Sequence, residues 1–381
     1  MNLPLSTKVR WLVDCDSFYA NCEVYRHPDW ANTCVCIGKD VIIARNYTAK
    51  AFGIKVWTPV REAKKILPSD AHYVSPDIAY YKTISQKLMS FLIKHTKVIQ
   101  QFSIDEAFFD ITDYADMYNV SYEEIAKRLK ESIQKNVGIP VSIWLAPTKI
   151  LAKMFAEINK PFGECVGLDK QNIYDILKTL PLEAVPFIGR RTQAKLASHC
   201  QTAYDFACLP YTFVRSLLGK SWLKVWYEVN CINATSFAAK KYPRGIHRSR
   251  SFHPHFTNQA NIIWERLSEN IDKAIAHLHH THTKTRYIKL FFRTKEFKRF
   301  SVDKRLPDHT DDIDYLITCI RSLFATVQWW NVLCRTTGIY LWELEDSTIT
   351  QHSLFDQSYI VPRNTKSSTI SRTPSYAFER C

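Results

Sequence analysis

The segment QFSIDEAFFDIT, residues 101–112, sets two carboxylates side by side, Asp105 and Glu106, in an otherwise apolar run. Phe102, Ile104, Ala107, Phe108, Phe109 and Ile111 have the pattern of a β-hairpin arm entering a core. Adjacent acids in such surroundings repel each other and resist desolvation, so a positive charge must sit close by or one acid must reach water. A third acid, Asp14, ends an apolar, strand-like stretch, VRWLVDCD. If the two strands are neighbours in one sheet, three carboxylates converge. Oxygen donors of this kind suit Mg²⁺, which keeps several waters and is shared with substrate phosphates. Two such ions stabilise both the attacking and the leaving oxygen of a phosphoryl transfer. Spacing alone leaves another reading equally open, in which Glu106 faces solvent and Asp105 caps a turn.

The elements that must position these acids follow from periodicity. In VRWLVDCDSFYANCE, Trp11, Val13 and Cys15 fall on one face of a strand and Leu12, Asp14 and Asp16 on the other, before a turn into a helix near Phe18. TPVREAKKILPSD reads as an amphipathic helix stopped by Pro68, and a long helix runs from Ile78 to about His95. After the hairpin come a helix closed by Gly138, a buried strand IPVSIWLA, and a helix with Pro147 in its first turn. This order predicts an α+β fold with helices on one face of a mixed sheet. Residues 171–233 read as short helices punctuated by Pro181, Pro186 and Pro210. From Gly245 the pattern is strand (His247–Phe252), helix (Asn258–His279), two strands (Thr285–Arg293, Phe297–Val302), helix (Asp311–Val327) and strand (Thr336–Trp342). That β-α-β-β-α-β order is a ferredoxin-like unit. Residues 346–381 are polar and weakly patterned, as in a tail.

Composition narrows the class. A hydrophobic share of 46% and an aromatic share of 13% over 381 residues are those of a folded globular chain. No run of 18 apolar residues is present, so no transmembrane helix and no membrane partner are expected. The N-terminal stretch lacks a signal-peptide pattern, which predicts a cytoplasmic protein. The eleven cysteines are scattered and read as free thiols. His277, His279, His280 and His282 read as the solvated end of a helix, since no Cys or acid completes a ligand set. The net charge of +14 is uneven: residues 240–305 hold 16 Lys and Arg against five Asp and Glu. Interleaved with aromatic and β-branched residues on strands, those charges fit a polyanion, most simply nucleic acid.

Five strings give a specific resemblance. VDCDSFYANCE, ARNYTAKAFGIK, FSIDEAFFDIT, LAPTKILAK and NKPFG occur in the order seen in the Y-family, or translesion, DNA polymerases, and the likeness runs from residue 9 to about 345. AKAFG, APTK and RSRSF lean toward the UmuC type rather than the DinB type. The resemblance implies a right hand: palm at 1–18 and 79–168, small fingers at 19–78, a helix-hairpin-helix thumb at 169–240 and a DNA-binding little finger at 241–345. It implies low-fidelity, template-directed synthesis past lesions with dNTPs on primer-template DNA, using two Mg²⁺ ions for which Mn²⁺ can substitute. Asp14, Asp105 and Glu106 would hold the metals, with the Cys15 carbonyl. Tyr19 would be the steric gate against a 2′-hydroxyl, with Phe18 beside it in the nucleotide pocket. Tyr47, Lys50 and Lys160 would hold the triphosphate.

Outside the catalytic unit, the likeness makes Arg190 and Arg191 of the thumb DNA contacts, with Arg248, Arg250, Lys289 and Arg293 of the little finger. QHSLFD resembles a bacterial sliding-clamp peptide anchored by Gln351, Leu354 and Phe355, and a UmuD-like subunit is a further possible partner. Trp144 and Leu145 depart from the family's Gly-Ile and would crowd the strand behind the metal site; Phe187 departs from a thumb glycine and Lys50 from an arginine. Those departures leave a non-catalytic primer-template or clamp-binding protein as the alternative; a nucleotide cyclase is a weaker rival. Extension from a primer distinguishes both from a polymerase.

Overall fold

The computed structural model describes residues 9–348 except 157, 159, 162, 168, 238–243 and 329–332. The expected clamp peptide, Gln351, Leu354 and Phe355, lies outside the described residues. The chain divides into two compact units, Met1–Ala239 and Lys240–Cys381.

The first unit holds strands β1 (Arg10–Cys15), β2 (Val35–Ile37), β3 (Ala44–Arg45), β4 (His72–Val74), β5 (Ile99–Gln101), β6 (Glu106–Phe109), β7 (Val141–Ala146) and β8 (Glu164–Val166). Five of them form one sheet in the order β5-β6-β1-β7-β8, in which β1 runs antiparallel to both β6 and β7, and β7 parallel to β8. Every residue of β1 is buried, as in a strand covered on both faces. Trp11, Val13 and Cys15 join Ala107, Phe109, Ile143 and Leu145 in a core against helices Ile78–Ile93 and Tyr122–Val137. Leu12, Phe108, Trp144 and Ala146 face the other way, into a core with helix Lys149–Phe155 and with the short helices beyond residue 170. The expectation of helices on one face is therefore corrected: β1 is buried along its whole length, and both of its faces are covered.

Three local expectations also change. Pro147 precedes the N-cap Thr148 rather than lying in the helix's first turn. Phe102 leaves the core and is 49% exposed, because β5 ends at Gln101 and residues 102–105 form the turn. Trp144 does not crowd the sheet. It is fully buried in the second core, and its indole N–H donates to the Ile158 carbonyl at 3.4 Å.

A second sheet, β3-β2-β4, has its own small core of Cys34, Cys36, Ile42, Ala49, Ile54, Ala63 and Leu67. Asn46 organises it from a buried position: its Oδ1 accepts from Val35 N and caps helix Tyr47–Ala51 through Ala49 N, while its Nδ2 donates to Thr33 O at 2.7 Å.

The second unit is one antiparallel sheet, β11-β10-β12-β9, of β9 (Gly245–Ser251), β10 (Thr283–Thr294), β11 (Arg299–Thr310) and β12 (Cys334–Asp346). Helices Ala260–His280 and Ile313–Ala325 pack on one face, over Ile246, Ile288, Leu290, Phe292, Ile339 and Leu341. The expected β-α-β-β-α-β order is observed, with longer strands than periodicity suggested.

Phe187 occupies a turn with φ of 74° and is 65% exposed, just before helix Arg190–Leu196. A bulky side chain in that region strains the backbone by about 1–2 kcal/mol, and an exposed ring recovers little of it. Phe187→Gly is expected to raise stability by up to about 1 kcal/mol in urea unfolding, the greater freedom of glycine in the unfolded chain taking back part of the gain. A fall in the unfolding midpoint would show that the ring contributes packing instead.

Candidate active site

The sheet register assembles the acids. Asp14 lies directly opposite Glu106 in the β1–β6 ladder, and Cys15 N donates to the Asp105 carbonyl at 2.9 Å. Asp14 and Glu106 are both buried, on the face shared by Leu12 and Phe108. The strands are neighbours, as the sequence predicted, but the side chains do not close into one ligand set. Among the described residues, no three His, Cys, Asp or Glu side chains stand close enough to hold an ion. Asp105 instead accepts from Ser103 Oγ. Glu106 Oε2 pairs with Lys153, and Asp14 Oδ1 pairs with Lys160 at 3.1 Å. Like charges held this close turn to whatever positive or donor groups they can reach.

Burial pushes the Asp14 carboxyl up to about 6; Lys160 opposes the rise, and the Asp105 charge adds to it. A carboxyl so poised is ionised near neutrality but poorly compensated. Among the described residues, Glu106 Oε1 is buried with no hydrogen-bond partner. A buried, unsatisfied carboxylate oxygen is costly and marks a place for a missing donor or ion. The donors are hard oxygens on two adjacent strands, the donor type that Mg²⁺ or Mn²⁺ takes, although the side chains as placed do not form a closed set.

Beside the acids is a cleft of about 360 Å³ lined by Cys15, Phe18, Tyr19, Ala44, Arg45 and Asp105, among others. Ser17, with φ of 44°, makes the sharp turn from β1 into helix Phe18–Arg26 and so brings Phe18 and Tyr19 to the cleft. Tyr19 stacks on Tyr81 at 4.7 Å, and the Tyr81 hydroxyl donates to buried Glu23 at 2.9 Å. Burial, then the charge of Asp105, pushes the Tyr19 phenol up. Tyr47 opens the helix that follows β3, whose Ala44 and Arg45 line the cleft, and Lys50 Nζ lies 5.2 Å from the Tyr47 ring. Asp16 is bonded instead to Ser142, the β7 residue opposite Asp14: Ser142 Oγ donates to its two oxygens at 2.9 and 3.0 Å.

Several residues of the site were not anticipated from sequence. Lys153 is one, although a lysine four residues after Lys149 on an otherwise apolar helix places both on one face. Glu228 is another. It is fully buried in helix Trp222–Val229 and accepts from Ile150 N at 3.0 Å and from Thr235 Oγ1, while its carbonyl accepts from Thr148 Oγ1 at 2.8 Å. It thereby holds the N-terminus of the helix that carries Lys153. Buried Lys149 donates to Gln100 Oε1 and to the Ser236 carbonyl, and burial pulls its pKa down.

The expected DNA contacts separate. Arg190 and Arg191 are exposed at the start of helix Arg190–Leu196. In the second unit, Lys289 and Arg293 lie on the open face of the sheet. Arg248 and Arg250 do not share that face. They follow Ile246 on the helix side, where Arg250 pairs with Glu269 and Arg248 bonds His277.

The impB/mucB/samB family matches residues 13–157, and the C-terminal domain of that family matches residues 243–354, together well over half the chain. The chain belongs to this family, and it is a Y-family DNA polymerase. It is 26% identical over 346 residues to a DNA polymerase IV of Oceanobacillus iheyensis, covering 87% of this chain and 80% of that one. It is 31% identical over 234 residues to a DNA polymerase IV of Alkaliphilus oremlandii, covering 60% and 58%. Among solved structures, a Y-family DNA polymerase chimera of Dbh and Dpo4 has the same fold, with a TM-score of 0.72 at 24% identity over 88% of this chain and 99% of that one. The relatives' name is a DinB-type name, where AKAFG, APTK and RSRSF lean toward the UmuC type.

Two measurements check the site. Mg²⁺ at about ten times its dissociation constant is expected to stabilise the wild type by about 1.4 kcal/mol in thermal unfolding, and Glu106→Gln to lose most of that gain. Glu228→Ala is expected to cost about 2–4 kcal/mol, since it strands the buried donors on Ile150 and Thr235, and Glu228→Gln less.

Proposed function

We propose that this polymerase copies past template lesions by two-metal nucleotidyl transfer at Asp14, Asp105 and Glu106. The observation that carries the reading is the β1–β6 register, which puts Asp14 opposite Glu106, next to a cleft that Asp105 lines with Phe18 and Tyr19. In this reading the five-stranded sheet is the palm, the small β3-β2-β4 sheet belongs to the fingers, the helices from 170 to 229 form the thumb, and the second unit is the little finger.

The residues divide the work. Asp14, Asp105 and Glu106, with the Cys15 carbonyl, hold the ions. When bound, Mg²⁺ lowers the pKa of the primer 3′-hydroxyl and neutralises charge on the α-phosphate and the departing pyrophosphate. Lys160, now on Asp14, and Lys50 with Tyr47 receive the triphosphate oxygens. Tyr19, braced by Tyr81, sets the floor under the sugar and excludes a 2′-hydroxyl. The small core of the finger sheet leaves the nascent pair loosely enclosed, so distorted templates are accepted. Primer-template DNA and dNTPs are the substrates, and the QHSLFD tail is the docking peptide for a sliding clamp. A UmuD-like subunit belongs to the UmuC-type reading, which the sequence strings alone support.

Primer extension tests this directly. Asp105→Ala is expected to lose at least about a hundredfold in rate with Mg²⁺, on normal and abasic templates alike. Tyr19→Ala is expected to keep dNTP incorporation and gain ribonucleotide incorporation. Equal extension by Asp105→Ala and wild type rejects the mechanism. DNA binding without incorporation by the wild type, in Mg²⁺ or Mn²⁺, establishes a non-catalytic binder instead.

A further inference from the structure

Trp57 is held in a conformation that a large side chain resists. Its φ is 74°, in the left-handed region that bulky residues avoid, and the residue is 70% exposed, so the ring recovers little by packing. Its neighbours fix the backbone there. Trp57 N donates to the Ile42 carbonyl at 2.7 Å, Ile42 N to the Thr58 carbonyl at 2.8 Å, and Thr58 N to the Lys55 carbonyl at 3.1 Å. Lys55 N donates to Thr58 Oγ1 at 3.2 Å, and Val41 bridges to Pro59. Strain that the surrounding structure over-determines in this way is concentrated at active sites and ligand clamps.

The residue stands at the rim of the cleft beside the acids. Val56 precedes it, and Ile43 follows its hydrogen-bond partner Ile42; both line the cleft with Ala44, Phe18 and Tyr19. Ligand cavities run from about 300 to 1,000 Å³, so one of about 360 Å³ takes a single nucleotide rather than a base pair. With the incoming sugar on Tyr19, as proposed above, the template base completes its pair outside the cleft, at the rim. A template that keeps its base covers the incoming base there. A template that has lost its base leaves the incoming base open to water. An indole is flat, apolar and rigid, and aromatic side chains stack on any base because every base has a π face.

We propose that Trp57 is a specificity-determining residue that stands in for a missing template base, its indole covering the incoming base opposite an abasic position. Template positions without a base are then a substrate class that this side chain selects. The inference rests on the polymerase reading above for the nucleotide in the cleft; the strained, exposed indole at the rim does not.

The test uses the intact chain in Mg²⁺ with a primer that ends in a dideoxynucleotide, so that nucleotide binding is read without transfer. The templating position carries thymine or a stable abasic analogue. The probe is the deoxyribonucleoside triphosphate of 2-aminopurine, whose fluorescence is quenched by stacking. Wild type is expected to bind the probe on both templates and to quench it on the abasic one. Trp57→Ala is expected to weaken binding on the abasic template about tenfold and on the thymine template by less than about threefold. Trp57→Phe keeps a ring and is expected to stay within about threefold of wild type on both, which separates stacking from misfolding. An equal loss on the two templates in Trp57→Ala overturns the inference. So does Trp57→Phe behaving as Trp57→Ala, or a wild type that binds no probe on the abasic template. Bond formation plays no part in this assay, so failure of the catalytic reading is seen separately, in extension from a primer with a free 3′-hydroxyl.

Discussion

One cross-strand pair governs the first unit: Asp14 facing Glu106 across the β1–β6 ladder. Hydrogen-bonded strands hold opposite residues within a few ångströms whatever their charge, so the ladder imposes a proximity that the carboxylates would not choose. The arrangement survives because both acids find ammonium partners, Lys153 and Lys160, carried on chain that follows β7. The register is itself over-determined. A one-residue slip would send Leu12 and Phe108 into the wrong core and Trp11 and Phe109 out of theirs. The apolar alternation of β1 and β6 thus fixes two charges that have nothing to do with hydrophobicity.

The sheet's second face links the acids to the helical segment behind them. Helix Lys149–Phe155 presents Lys153 to Glu106 at one end and is gripped at the other by Glu228 and Thr148. A buried carboxylate at a helix N-terminus satisfies amide donors that the helix cannot satisfy for itself. Displacing helix Trp222–Val229 would therefore release the helix that positions Lys153, a mechanical route from the helical segment beyond residue 170 to the acids.

Much of this was legible in the sequence, for identifiable reasons. The two-residue period of VRWLVDC placed Asp14 on the face away from Trp11, Val13 and Cys15, and the structure keeps it there. The second unit's element order was readable because its helices are long and amphipathic and its strands are rich in aromatic and β-branched residues. What was not readable depended on partners distant in the chain. Nothing in a run such as WYEVN shows that Glu228 will be buried on an amide 78 residues earlier. Arg248 and Arg250 looked equivalent to Lys289 on charge alone; the alternation from buried Ile246 turns them toward Glu269 and His277 on the helix side. Trp144 looked obstructive because the second core was not visible from local pattern. It serves as packing there, and Lys160 Nζ lies 5.3 Å from its ring.

The ammonium groups of Lys153 and Lys160 also make occupancy of the acids an exchange rather than an addition. In the proposed mechanism, a divalent ion arriving at Asp14 and Glu106 displaces the cations seated there, and each displaced ammonium then needs a new anion. A triphosphate is such an anion. Cofactor and nucleotide would therefore strengthen each other's binding, a reciprocal linkage in which neither is held well alone and the pair is held firmly.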